Sequence, residues 1–263
     1  MSAPFHSDKK DLAFNLLLKN MKRFPNTLIT LTALIGASAS VSNAAILLED
    51  FEDSTVTYVT SNGEFHDGLS DYFSIVDPTN PLIDANTGID FAGFGGSQYF
   101  AAEDIDDGGT RPATQTLTFT VNIFGYENIS FSSLFAAGGN DDNPAYDDDD
   151  GFLVTATIDG GVTQNLLAFE AIGGGNTLLR EDTDFSGFGD STVVIDHNFE
   201  SYSSPIIGTG SELELVITVR SNDGNGEFAF DNVTLDGDFV IPEPSSALLA
   251  FLGSAFLLGR RRK

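Results

Sequence analysis

The sequence predicts an all-β chain: an antiparallel two-sheet β-sandwich of jelly-roll-like type, set between an N-terminal signal segment and a short C-terminal transmembrane helix. Three observations carry that prediction. Apolar and polar residues alternate with period two in segment after segment, the pattern of strands with one face in a core. Clusters of Gly, Asp, Asn and Pro separate these segments. No stretch between residue 45 and the tail shows the 3.6-residue periodicity of an amphipathic helix. About a dozen strand-like stretches result, which suits a two-sheet sandwich. No fixed-period repeat is evident, which argues against propellers and solenoids.

Taken from the N-terminus, Met21-Lys22-Arg23 supplies a charged region, Leu28 to Ala37 a short apolar one, and Ser42-Asn43-Ala44 small residues for cleavage. Residues 21–44 therefore read as a signal peptide cut after Ala44, with Ala45 as the neighbouring option. Residues 1–20 form a charged preface that a secretory signal seldom carries. A gene-model extension, with translation starting at Met21, accounts for them; an amphipathic helix over Asp11 to Lys19 is the alternative. The remaining domain, residues 45–240, has 196 residues and can bury a core without staples.

Within it, Leu117, Phe119 and Val121 alternate with threonines, and Ile129 and Phe131 flank Ser130. Phe152, Val154, Ala156 and Ile158 run into Asp159-Gly160-Gly161, a hairpin signal, with Val162 to Glu170 as the return strand. Leu213, Leu215, Ile217 and Val219 repeat the alternation. The longest irregular stretches, Asn80 to Gly96 and Ala136 to Asp150, are expected to be surface loops, the usual place for sites on a rigid sandwich.

Charge narrows the partners. Of 12 Lys and Arg, the 45–240 domain keeps Arg111, Arg180 and Arg220; of 39 Asp and Glu it keeps 36, a formal charge of −33. Nucleic acid is a poor partner for such a surface, because binding needs cationic groups to displace counterions. Divalent cations and a salt-rich exterior suit it. There is no cysteine, so disulfides and thiolate chemistry are excluded.

The tail has three parts: Pro242-Glu243-Pro244, an apolar segment within residues 245–259, and Arg260-Arg261-Arg262-Lys263. Fifteen helical residues span roughly 22 Å, short of a hydrocarbon core of about 30 Å. A marginal, removable anchor follows, with the basic cluster on the cytoplasmic side. A packed helix ending in solvated charge is the alternative, and the lack of a polar face counts against it. In its parts and their order, the 241–263 tail resembles the PEP-CTERM sorting signal of Gram-negative, exopolysaccharide-producing bacteria. That resemblance implies Sec-dependent export across the inner membrane, recognition by an exosortase, and cleavage near Pro242. It further implies transient membrane contact and delivery to the cell surface or biofilm matrix.

Three acidic clusters are candidate Ca2+ sites, since Ca2+ takes six to eight oxygens from such loops. The first is Asn140-Asp141-Asp142-Asn143 with Asp147-Asp148-Asp149-Asp150, of which Asp147 and Asp149 are the favoured ligands; a solvated acidic loop is the alternative. The second is Asp182-Thr183-Asp184-Phe185-Ser186-Gly187-Phe188-Gly189-Asp190, with Asp182, Asp184 and Asp190 as ligands. It resembles bacterial calcium loops but lacks the closing Glu of an EF-hand. The third joins Glu49-Asp50-Phe51-Glu52-Asp53 to Phe230-Asp231-Asn232-Val233. This pair resembles the first and last strands of extracellular jelly-roll modules, including carbohydrate-binding ones. The resemblance implies that Asp231, with Glu49 and Asp50, ties first strand to last through a structural Ca2+; a simple turn bond from Asp231 is the alternative. Segments Glu127 to Ala137, Ile158 to Glu170 and Asp182 through Asn232 also look like a recurrent surface β-sandwich module of bacterial secreted proteins.

Enzyme signatures are thin. No Gly-x-Ser-x-Gly elbow, His-Glu-x-x-His pair or phosphate-binding Gly-Lys loop is present. His66 and His197 adjoin carboxylates, as chance allows in so acidic a chain. The sequence thus points to a non-enzymatic structural or adhesive sandwich in the exopolysaccharide layer. A carbohydrate-binding module is one alternative: exposed, coplanar tyrosines would support it and scattered buried ones would count against it. A secreted hydrolase, needing convergent carboxylates in a cleft, is another.

Overall fold

Alternation sorts the side chains as the pattern requires. In a computed structural model of the protein, Leu213, Leu215, Ile217 and Val219 are fully buried while Glu212 and Glu214 face water. The structure describes residues 42–67, 71–77, 91–106, 109–138, 146–222 and 226–240. Of the expected signal peptide, residues 21–41 lie outside the described residues, as do the tail from residue 241 and Asn140 to Asn143, while Ser42 to Ala44 fall in the first strand. Among those described, no helix is long and apolar enough to cross a membrane.

Thirteen strands are described: β1 (Ser42–Glu49), β2 (Tyr58–Thr60), β3 (Phe65–His66), β4 (Tyr72–Val76), β5 (Tyr99–Glu103), β6 (Thr114–Asn122) and β7 (Tyr126–Ala137). They continue as β8 (Gly151–Ile158), β9 (Gln164–Glu170), β10 (Arg180–Glu181), β11 (Glu200–Pro205), β12 (Glu212–Arg220) and β13 (Phe228–Phe239). They form two antiparallel sheets, one ordered β11-β7-β13-β5-β4-β3 with β1 also on β13, the other β10-β9-β8-β12-β6-β2. The β8–β9 hairpin turns at Asp159 and Gly160, with φ of 48° and 65°. Positive φ at both central residues is what a type I′ turn requires, and Gly161 N–H closes it on Ile158 O at 2.9 Å.

β13 is the hinge of the seven-stranded sheet. One edge pairs with β7 along nearly its whole length. The other pairs with β5 through Phe230 and with β1 from Val233 onward. The change of partner falls at Asp231-Asn232, where the register with β7 also shifts and Asn232 takes φ of 51°. Asn tolerates this left-handed conformation better than most residues.

The main core between the sheets is aromatic. Phe230 stacks on Phe100 with ring centroids 5.0 Å apart and meets Phe51, Phe135 and Phe152 at 5.9–6.1 Å. Offset and edge-to-face rings at such spacings add to the hydrophobic contribution of their buried area. A second, smaller core covers the outer face of the seven-stranded sheet. Phe91, Tyr99 and Phe199 pack there on Ala101, Ala136 and Ala229. Small residues on that face let the rings settle against the backbone.

Burial in the two cores corrects the expectation of surface loops at the described ends of both stretches. Phe91 is buried, and Ala92 bridges Asn198. Ala136 and Ala137 belong to β7, and Tyr146 is fully buried, its hydroxyl donating to the Glu227 carbonyl. Period-two reading finds strands with one core face; it misses residues that cover the other face. Truncating Phe230 to Ala leaves a void at the junction of these rings. Urea unfolding should show a loss of about 3–5 kcal/mol, against less than about 0.5 kcal/mol for Ala at exposed Val59.

Candidate cation clusters and a surface cleft

Asp231 sits at the β13 break, fully buried. Its Oδ2 accepts the Gly95 N–H at 2.6 Å and its Oδ1 the Asn232 N–H at 2.7 Å. Burial pushes its carboxyl up to about 6; the two amides oppose this, while the charges of Glu52 and Asp50 add to it. Gly95 is required by the approach, because a Cβ there would lie 2.5 Å from Asn232 Nδ2. Glu52, which the sequence reading passed over, clamps the same loop by accepting from Ser97 N–H, Ser97 Oγ and Gln98 N–H at 2.6–2.7 Å. Those bonds hold it below the ordinary carboxylate range.

Asp50, Glu52 and Asp231 thus bring negative charge to the place where β1, β13 and the 95–98 loop meet. Among the described residues, the carboxylates that converge closely enough for a shared cation are those of the 147–149 and 182–190 groups; Glu49, Asp50 and Asp231 are not among them. Glu49 is placed differently. Its oxygens accept from Phe51 N–H at 3.2 Å and from Thr57 N–H and Oγ1 at 2.7 Å, closing the loop after β1. The signal that could have found Glu52 is its place in the Glu-Asp-Phe-Glu run, two residues beyond Asp50.

Asp182, Asp184 and Asp190 come together, with carboxylate oxygens within 4.8 Å of one another. Asp182 is buried and accepts Ser186 N–H at 3.2 Å and Gly187 N–H at 2.7 Å. Asp190 accepts Thr183 N–H at 2.9 Å. The loop is held against β9 by backbone: Gly189 N–H donates to Ala171 O, and a Cβ at Gly189 would meet Glu170 O at 2.5 Å. Asp147 and Asp149 converge with Asp148 in the same sense. Asp147 Oδ1 accepts the Asp149 N–H at 3.0 Å.

The three arginines of the domain are all engaged. Arg111 pairs with Asp67 at 2.7 Å and lies over the Phe65 ring; Arg180 donates to Ser191 O; Arg220 pairs with Glu170. Arg220 and Glu170 stand in a cleft of about 300 Å³ on the outer face of the six-stranded sheet. Asn165, Thr218, Asp182 and Phe185 complete its walls. Burial pushes Glu170 up to about 7, and Arg220 offsets part of that rise. Phe188, in the same loop as Phe185, is exposed. The tyrosines form no platform, which counts against a tyrosine-lined sugar site: Tyr58, Tyr72, Tyr99 and Tyr146 are buried, and Tyr126 and Tyr202 are half-buried against Phe239 and Phe169. Another buried acidic group, Glu103, Asp150 and Glu227, was not singled out as a unit by sequence. After burial, their charges push the Tyr146 hydroxyl further up.

No family model matches the chain, and no curated protein matches it. Among solved structures it is similar to the CBM22-1 and GH10 modules of a Clostridium thermocellum xylanase complexed with xylohexaose. That match has 11% identity and a TM-score of 0.41 and covers 73% of this chain but 28% of that one. It is similar to the CBM22-1 xylan-binding domain of Paenibacillus barcinonensis Xyn10C, at 11% identity and TM-score 0.37, over 78% of this chain and all of that one. A cyclase from Fischerella sp. TAU matches at 14% identity and TM-score 0.41, over 76% of this chain and all of that one. At these identities and scores the likenesses bear on neither ligand nor activity.

Two outcomes test the site. With the ordinary value at 4.5 and the folded value at about 7, the folded state holds a proton on Glu170 that the unfolded state has released. The contribution of this group to stability is full below pH 4.5 and is lost as pH rises through 7. Glu170→Gln should therefore show a smaller fall in Tm between pH 5 and pH 8 than the parent; equal slopes would reject the assignment. If calcium is bound at about 100 times its Kd, its removal costs about 2.7 kcal/mol, or roughly 5–10 °C for a domain of this size. EGTA should lower Tm by that much, and Asp184→Asn, in the convergent group, should blunt the response.

Proposed function

We propose that residues 45–240 are a non-enzymatic, adhesive β-sandwich of an exported, exosortase-sorted protein, which holds extracellular polysaccharide in its surface cleft and is braced by calcium. The cleft on the six-stranded sheet is the observation that carries this reading. It sets a carboxylate, a guanidinium, an amide and a hydroxyl (Glu170, Arg220, Asn165 and Thr218) beside the ring of Phe185. Vicinal sugar hydroxyls take paired hydrogen bonds from such groups, and a sugar's apolar face packs on an aromatic ring. Because the Asp182, Asp184 and Asp190 carboxylates stand beside Arg220, the cleft suits neutral sugars better than polyanions. The Asp182 cluster forms one wall, so a cation there would stiffen the binding surface as well as the fold.

Export supplies the setting. The signal peptide and the Pro-Glu-Pro tail support delivery outside the cytoplasm, where polysaccharide and millimolar calcium are both at hand. The acidic surface supports the same setting through its affinity for divalent cations and its tolerance of salt.

A secreted hydrolase draws on the same cleft, since a carboxyl held near 7 beside a second carboxylate is the arrangement of a general acid and its partner. Against it, both Asp182 oxygens accept backbone amides and Glu170 is buried behind its arginine. Affinity electrophoresis through gels containing neutral polysaccharides separates the two readings. The parent should be retarded by at least one of them, and Arg220→Ala and Phe185→Ala should each weaken retardation about tenfold. Reducing-sugar release abolished by Glu170→Gln would favour the hydrolase, and absence of retardation in every gel would remove the adhesive reading.

A further inference from the structure

The register of the strands divides the sandwich into two unlike ends. Arg220 pairs with Thr114 and Gly151, and Gly151 with Glu170, so these strand termini share one end with the 146–150 and 182–190 clusters. At the opposite end Glu212 pairs with Asn122, Leu213 with Ile158 and Phe239 with Tyr126. The connections that close this second end are residues 123–125, 159–163 and 206–211, and β13 runs out there at Phe239 and Val240. Asp159 is the one charged residue among these connections, in a domain that holds 36 carboxylates.

Their tips are apolar and open to solvent. Phe124 is 75% exposed, Val162 87% and Ile207 73%. Phe124, Phe239 and Val240 line a groove of about 700 Å³ whose one carboxylate is Glu127, and Val162 and Ile207 line a second hollow of about 440 Å³ beside it. Of the neighbouring carboxylates, Glu127 and Glu212 are exposed, while two others are turned to protein donors. Asp159 accepts from Ser211 and Glu212, and Asp238 accepts from Asn128. Large apolar residues clustered on hairpin tips are costly in water and mark a surface that meets something apolar.

Chain continuity says what that is. Val240 is pinned to this end by its N–H bond to Gly125 O at 2.8 Å. Six residues, 241–246, separate it from the apolar run that starts at Ala247. Fully extended, six residues reach roughly 20 Å. Ala45, the first residue after the expected cleavage, pairs with Asp236, so the exported chain also starts near this end.

We propose that this apolar-tipped end rests on the phospholipid interface, with Phe124, Val162 and Ile207 among the headgroups, while the tail holds the protein in the bilayer. The proposal rests on the reading of residues 245–259 as a membrane segment. It turns the acidic clusters and the sugar-facing cleft towards the exterior, and it keeps the densest negative charge away from the membrane. It also brings Pro242 to the membrane surface, where a membrane-embedded processing enzyme works.

The cysteine-free chain permits a direct test. The full-length protein carries one cysteine at a time (Phe124→Cys, Val162→Cys, Ile207→Cys, Phe188→Cys or Ser254→Cys), labelled with an environment-sensitive fluorophore. Each is reconstituted into phosphatidylcholine–phosphatidylethanolamine vesicles with and without nitroxide-bearing lipid. The expected result is quenching at 254, and at 124, 162 and 207 quenching several-fold greater than at 188. Quenching at 254 with the tips no different from 188 would overturn the proposal and leave the anchor standing. An unquenched 254 would overturn both. Tips shielded equally without lipid, in a concentration-dependent manner, would assign the surface to a second copy of the chain and overturn the proposal.

Discussion

The double pairing of β13 is the constraint on which the rest of the structure depends. One edge of this strand must serve both β5 and β1, and two straight neighbours cannot occupy one edge without a break between them. Asp231-Asn232 supplies the break. The left-handed Asn232 turns the backbone, and the Asp231 carboxylate takes the amides of Asn232 and Gly95. Ser133 Oγ caps the Asp231 carbonyl at 2.7 Å. The same break leaves a buried carboxylate beside Asp50 and Glu52. A structural solution in the sheet thereby becomes an electrostatic problem, which the Gly95 and Asn232 amides offset in part.

Charge is the second organising constraint. A domain with three arginines and 36 carboxylates cannot neutralise itself by ion pairs, and each arginine is already committed. The carboxylates are managed instead by backbone amides, as at Glu49, Glu52, Asp159 and Asp182, or gathered into clusters that suit cations. Gathering them leaves the hairpin tips at Phe124, Val162 and Ile207 apolar.

The cleft shows how function is laid over this frame. Arg220 and Glu170 are the last residues of adjacent-but-one strands, β12 and β9, with β8 between them. Their side chains meet across Gly151, where a Cβ would lie 2.7 Å from the Glu170 carboxyl carbon. A glycine in the middle strand is thus what lets the ion pair close, and the 182–190 loop then supplies the aromatic edge.

The sequence by itself determined the all-β class, the strands around Leu117, Phe152 and Leu213, the Asp159-Gly160 turn and the exclusion of disulfides. These are local consequences of side-chain alternation, backbone preference and composition. It also brought Asp182, Asp184 and Asp190 to notice, because their spacing within one loop already forces them together. Tertiary structure alone decided that Glu52 joins Asp231, that Glu49 turns to its own loop, and that Phe91 and Phe199 roof the seven-stranded sheet. It alone placed Arg220 against Glu170 and collected Phe124, Val162 and Ile207 at one end. Each of these joins residues distant in the chain, and one-dimensional patterning carries no information about which of many similar acids or rings the register will bring into contact.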